Sequence, residues 1–273
     1  MIKKKNICIC ADDFGMSESI SEGIIDLVKG KKIQAVSCIL NKGVFLKYYK
    51  VLKKFKNEID IGLHINLTEN KTGINLKFDN IFNIFSSLRL IIFRKDLISK
   101  QVNKQIKEFE RCFEFKPKHI DGHHHIHQIP FISSIIINSI SKFKPFVRQS
   151  GDNISNILSR RIAIIKSILI SFFSKNLIYN LKKNNLHFNN SFSGIYEFNK
   201  DVEYKNIFCK FLINTQNNHL IMCHPAKKIK DGGDKDSIKE FRHKEYVFYL
   251  SRKFEKIKKN KNFLFTRASK FHK

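Results

Sequence analysis

Tryptophan is absent from this 273-residue sequence, proline occurs only four times and glycine eleven. No Pro- or Gly-rich stretch divides the chain, so tandem domains on a flexible linker are not expected. Acidic residues are also scarce: 24 Asp and Glu stand against 51 Lys and Arg, for a net charge of +27 with His neutral. The six cysteines, Cys8, Cys10, Cys38, Cys112, Cys209 and Cys223, include no C-x-x-C pair, which leaves reduced thiols as the reading. No apolar run reaches bilayer length; the most apolar late segment, Ile162 to Phe173, contains Lys166. Met1 to Lys5 is basic like the start of a secretory leader, but the apolar run behind it is short and meets Asp12 and Asp13, so no leader is expected. The expected location is the cytoplasm, with peripheral contact at the inner membrane surface left open.

What is present suits a folded chain. With 42% hydrophobic residues and 12% aromatics the sequence can bury enough apolar surface to offset chain entropy. One domain spanning 1–273 is expected, with variable insertions near 69–93 and 150–196. Lys, Asn, Ile and Phe are over-used together, the mark of an AT-rich coding sequence, so the positive charge reads as diffuse rather than as a dedicated polyanion footprint, and no specific nucleic acid partner is expected.

Short apolar runs alternate with helical patterns. Ile7 to Ala11, Ala35 to Leu40, Ile59 to Leu67, a strand from His119, Phe146 to Gln149, His219 to Cys223 and Phe263 to Phe265 read as strands. Helices are expected from Ser17 to Gly30, Val44 to Lys54, Asp96 to Phe115, from Pro130, and as one charged helix over Ser237 to Lys258. Glu69 to Phe93 and Ser150 to Tyr196 read as long loops, the latter holding a basic, apolar helical stretch that the pattern does not place. Such alternation argues for an α/β fold with a parallel sheet or barrel.

Four reactive segments end predicted strands, where ligands gather in parallel sheets and barrels. Ala11-Asp12-Asp13-Phe14-Gly15 offers two adjacent carboxylates whose mutual repulsion a cation would relieve; one Asp could bind it while the other serves as a base. Gly62-Leu63-His64-Ile65-Asn66 embeds an imidazole in an apolar strand, with Asn66 on the same side. In His119-Ile120-Asp121-Gly122-His123-His124-His125-Ile126-His127, a period of two puts His119, Asp121, His123, His125 and His127 on one face, with Asp121 able to fix a ligand tautomer. Leu220 to Pro225 delivers His224 at a strand tip, as acid, ligand or loop residue, and Arg148 near the fifth strand's end could orient a carboxylate or an anionic substrate. One carboxylate and two imidazoles on a divalent ion would leave a position open for water, which points to hydrolysis.

These four segments, in this order and approximate spacing, resemble the YdjC/ChbG-like carbohydrate deacetylases. The resemblance covers most of the chain and is weakest across Ser150 to Tyr196. It implies an irregular (β/α) barrel of polysaccharide-deacetylase type, with Asp13, His64 and His123 as metal ligands, Asp12 as general base and His224 as the acid for the departing amine. Asp121, His125, His127, Arg148 and Asn66 are then candidates for supporting the ligands or touching substrate. The cofactor implied is one divalent ion, zinc or magnesium, with the two imidazoles favouring zinc. The implied substrate is an N-acetylated sugar, oligosaccharide or glycolipid, and the basic stretch Ile154 to Tyr179 could lie against a membrane. Self-association as a homo-oligomer is left open. Two alternatives compete: a metal-dependent phosphoesterase, and a non-enzymatic polyanion-binding protein.

Overall fold

The computed structural model describes residues 4–40, 43–68, 94–198, 203–228 and 236–271. The expected insertion at 69–93 lies outside the described residues. In chain order the elements are β1 (Lys5–Phe14), α1 (Glu18–Lys29), β2 (Ala35–Cys38), α2 (Val44–Lys53), β3 (Asp60–Ile65), α3 (Lys95–Phe113), β4 (His119–Gly122), a 3-10 turn (His123–Gln128), α4 (Pro130–Ile140) and β5 (Phe146–Val147). The second half adds α5 (Ile154–Arg160), α6 (Ile164–Lys183), β6 (Ser191–Ser193), α7 (Tyr204–Phe211), β7 (His219–Cys223), α8 (Lys239–Leu250), α9 (Arg252–Lys258) and β8 (Phe263–Phe265).

The sheet runs β5-β4-β3-β2-β1-β7-β6 with β8 added to β1, and each pairing is parallel. Ile7 pairs with β7 and β8, and Cys10 with β7 and β2, so β8 and β2 share one edge of the long first strand. At the far end Val147 forms a parallel bridge to Phe188, just before β6, which draws the two ends of the sheet together. The fold is α/β, its parallel strands curled into an incomplete, irregular (β/α) barrel.

Alternation along β1 sorts the interior. Ile7, Ile9 and Ala11 face outward into the apolar layer shared with the helices, alongside Ile24 and Leu27 of α1. Cys8 and Cys10 face inward and join Ala35, Phe146, Phe192, Leu220, Met222 and Phe271 as the barrel floor. All six cysteines are unpaired, and Cys209 alone is exposed. Local signals set the boundaries: Ser17 caps α1 by accepting from the Ile20 amide, and Pro130 opens α4, where its missing N–H is not needed.

Three expectations change. Ser150 to Tyr196 is not a loop, for it holds α5, α6 and β6. The single helix expected over Ser237 to Lys258 is two, because Ser251 ends α8 with an extended backbone and caps α9 by accepting from the Phe254 amide. The histidine run does not continue as a strand past Gly122: the chain turns into a 3-10 segment in which His124 and His125 take left-handed φ of 52° and 58°. Gly122 permits the turn, since a Cβ there would lie 2.9 Å from Ile126 Cγ1 and 3.1 Å from the His127 amide. His119 and Asp121 therefore share a strand face, while His123, His125 and His127 are aimed separately.

Candidate active site

The tip of β1 breaks its alternation. Its register against β2 shifts between Ala11 and Phe14, and Asp13 takes a φ of 69°. This is a bulge, and Asp is among the side chains that tolerate the left-handed region best. Both adjacent carboxylates consequently lie buried in the barrel mouth, each 1% exposed, yet they meet different partners.

Asp13 is the hub of one group. Its Oδ1 lies 3.1 Å from His123 Nδ1 and 3.6 Å from His64 Nε2. Its Oδ2 accepts from Arg242 at 2.7 Å. Burial opposes ionisation, but Arg242 and His123 outweigh it and hold the Asp13 carboxyl well below the usual range. His64 uses Nδ1 to donate to Asp121 Oδ1 at 2.6 Å, which leaves Nε2 turned toward Asp13. Burial disfavours the His64 cation, yet the neighbouring carboxylates, Asp121 first, raise its pKa. Asp13, His64 and His123 present ligand atoms all within 4.8 Å of one another, so the structure brings the three expected metal ligands together.

Asp12 belongs to a second group. Its Oδ1 accepts from Arg148 Nη1 at 2.8 Å, and the same nitrogen lies 3.2 Å from Asp121 Oδ2. Arg148 is fully buried and lies over the Phe192 ring at 5.9 Å. Burial works against its charge, but Asp12 and Asp121 together push its pKa up, and Arg148 with His64 holds Asp121 down against burial in turn. Asp121 Oδ2 also accepts from Ser37 Oγ at 2.6 Å, and Ser37 lies 2.9 Å from His119 Nε2. Two further sets of possible ligands, Asp12 with His64 and Asp121, and Cys10 with His119 and Asp121, draw on these same carboxylates. Each carboxylate of these sets is paired with a guanidinium, Arg148 for Asp12 and Asp121 and Arg242 for Asp13; among the described residues the Asp13 set alone combines one carboxylate with two imidazoles.

The remaining expected residues divide. His224 stands at the tip of β7, its amide donating to Glu245 Oε2 at 2.6 Å and its Nδ1 buried without a protein partner. Burial, only partly offset by Asp13, lowers its pKa to about 4, so the imidazole is neutral at rest. His127 donates from Nε2 to the Arg148 carbonyl at 2.8 Å and supports the strand that carries the guanidinium. His125 packs edge-on to Phe192, and burial followed by the Arg148 charge keeps it neutral. Asn66 does not join the site: its Oδ1 accepts from the amide and hydroxyl of Thr68, closing a local turn.

Sequence reasoning missed Ser37, Arg242 and Glu245. Arg242 and Glu245 lie on α8, three residues apart and buried on the same side as Phe241 and Phe248. A basic and an acidic residue inside an apolar helical stripe was the available signal. Glu245 accepts from Tyr196 Oη at 2.7 Å as well as from the His224 amide, and burial raises its pKa to about 7.

Residues 6–260 match the family model described as YdjC-like protein. A carbohydrate deacetylase from Danio rerio is 29% identical over 151 residues, 51% of this chain and 48% of that protein. A chitooligosaccharide deacetylase from Serratia marcescens is 26% identical over 49% of this chain and 54% of its own length. The chain thus spans about half the length of these curated relatives. Among solved structures, the crystal structure of a proposed cellobiose-phosphate cleavage protein from Enterococcus faecalis V583 superposes with a TM-score of 0.69 at 17% identity, covering 97% of this chain and 98% of the other, which supports the fold.

Proposed function

The chain belongs to the YdjC-like family, and from that premise we propose that it is a carbohydrate deacetylase that hydrolyses the acetamide of an N-acetylated sugar, oligosaccharide or glycolipid to acetate and a free amine, using one divalent ion. The observation that carries this reading is the convergence of Asp13, His64 and His123 beside a second, separately held carboxylate, Asp12. The names of the curated relatives support the substrate class.

The donor set suits a divalent ion. Asp13 keeps an ionised carboxylate in a buried site, and Asp121 fixes the His64 tautomer so that Nε2 is available. Two imidazoles and one carboxylate favour zinc or a similar transition ion over magnesium. When bound by Asp13, His64 and His123, such an ion supplies Lewis acidity toward the amide carbonyl and lowers the pKa of water.

The chain's own groups divide the proton work. Asp12, aimed by Arg148, accepts the proton of the attacking water as its oxygen bonds to the acetyl carbon. The C–N bond then breaks, and the proton that Asp12 took from the water passes to the amine nitrogen by way of His224. Because His224 is neutral at rest, it takes up that proton during the reaction and then donates it. Arg148 bridges Asp12 and Asp121, so the base and the carboxylate that orients His64 are kept in fixed relation.

The test is acetate release from N-acetylated chitooligosaccharides by protein reconstituted with zinc or magnesium. Asp12→Asn should lower kcat by about 10²–10⁴-fold while the bound ion, counted by elemental analysis, stays near one per chain. Full activity in Asp12→Asn with metal bound would remove Asp12 as the base. Two ions per chain with phosphate ester cleavage would favour a phosphoesterase instead.

A further inference from the structure

Helix α6 carries apolar residues on its outward side as well as its inward one. Its inward side buries Leu177 and Leu181 in the core alongside small polar residues: Ser171 Oγ accepts from the Asp152 amide at 3.0 Å, and Ser174 Oγ donates to Gln149 Oε1 at 2.9 Å. Gly151 lies against this side, where a Cβ would come within 2.6 Å of Ser174 Oγ. Its outward side carries Ile165, Ile168, Leu169, Phe172 and Tyr179, spaced as one helical stripe, with Ile165 86% and Phe172 67% exposed. Ile154 and Leu158 of the preceding α5 are also exposed. The outward side of a surface helix is normally polar, and an exposed apolar stripe rimmed by polar groups marks a site of contact.

Charge selects the partner. From Asn153 to Tyr196 the sequence contains no acidic residue, while Arg161, Lys166, Lys175, Lys182 and Lys183 are all exposed on or beside the two helices. A second copy of this face would bring like charges together, whereas an anionic lipid surface offers both an apolar interior for the stripe and negative headgroups for the rim. Helix α6 also packs on the 3-10 turn that carries His123 to His127, and Lys166 lies close enough to His124 and His125 to influence them electrostatically.

We propose that the outward face of α6, with the tip of α5, docks the protein peripherally on anionic membrane surfaces and so brings the barrel mouth beside the headgroup layer. This surface is independent of the reaction assigned to the mouth, and its test requires no turnover. In cosedimentation with phosphatidylglycerol-containing vesicles at low salt, the 273-residue chain should bind, with weak binding to pure phosphatidylcholine vesicles and progressive release as salt is raised. The Ile165→Asn/Phe172→Asn double variant should bind anionic vesicles at least about tenfold more weakly, with an unchanged melting temperature because both side chains are exposed. Absence of wild-type binding to anionic vesicles at low salt, or equal binding by the double variant, would overturn the proposal. So would two other results: a wild-type dimer that the variant converts to monomer without altered vesicle binding, which assigns the face to a second copy, or a lower melting temperature with vesicle binding intact, which assigns it to another segment of this chain.

Discussion

The floor and the mouth of the barrel are made by the same strands, a few residues apart, and they solve opposite problems. At the floor Cys8, Ala35, Phe146, Leu220 and Met222 fill space without a charge among them. At the mouth Asp12, Asp13, Asp121 and Arg148 are equally buried, but each ionised group has an opposite charge in reach. Position along the strand, more than depth, decides the chemistry. Buried charge persists here only as a linked set, so removing one member should cost more than removing a floor side chain's contacts.

Arg148→Met breaks the contrast most severely. It leaves Asp12 and Asp121 buried without their shared cation and should destabilise the protein by about 3–5 kcal/mol in chemical denaturation. A loss under about 1 kcal/mol would mean that the carboxylates have another counter-charge and that the mouth is not the linked set described.

The next test uses pH on the metal-free chain. His224 has a folded pKa depressed to about 4, below its unfolded value of about 6.5, so stability from keeping it neutral is present above pH about 6.5 and is lost as pH falls toward 4. Glu245 has a folded pKa raised to about 7, above its unfolded value of about 4.3, so its protonated form adds stability at low pH that is lost as pH rises to about 7. Over the same window the two act with opposite signs. His224→Asn should remove the part of stability that rises with pH and Glu245→Gln the part that falls, as read from denaturation midpoints at several pH values. Parallel pH profiles for the two variants would contradict the assignment.

The smallest effect is expected at Asn66, whose side chain closes a turn rather than entering the mouth. Asn66→Ala should change metal affinity, measured by competition with a chelating dye, by no more than about twofold. A tenfold loss would place that turn within the site after all.

The strand tips were legible because apolar runs ending in Asp or His are unusual in sequence and because parallel strands gather such ends. Asp12, Asp13, His64 and His123 could therefore be expected at one place before any coordinates. The bulge was not legible: simple alternation separates Asp12 from Asp13, and only the left-handed Asp13 turns both toward the mouth. Nor could the histidine run reveal its turn at Gly122, since a period of two accounts for the spacing equally well. Arg242 and Glu245 come from the far end of the chain, and only the fold brings them to Asp13 and His224. Helix α6 escaped placement for a different reason. Its apolar residues fall on both sides, Leu177 and Leu181 buried and Ile165 and Phe172 exposed, so the pattern carried no information about which way the helix faces the barrel.

The rung between Val147 and Phe188 gives that same region a second burden. Whatever its exterior touches, the stretch from Ser150 to Tyr196 must return to the β5 edge in phase, because otherwise the strand wall gapes beside Arg148. Its outer surface can be rewritten residue by residue during divergence, whereas its span is pinned at both ends, and changes of length there should be tolerated only where the helices meet their connecting turns.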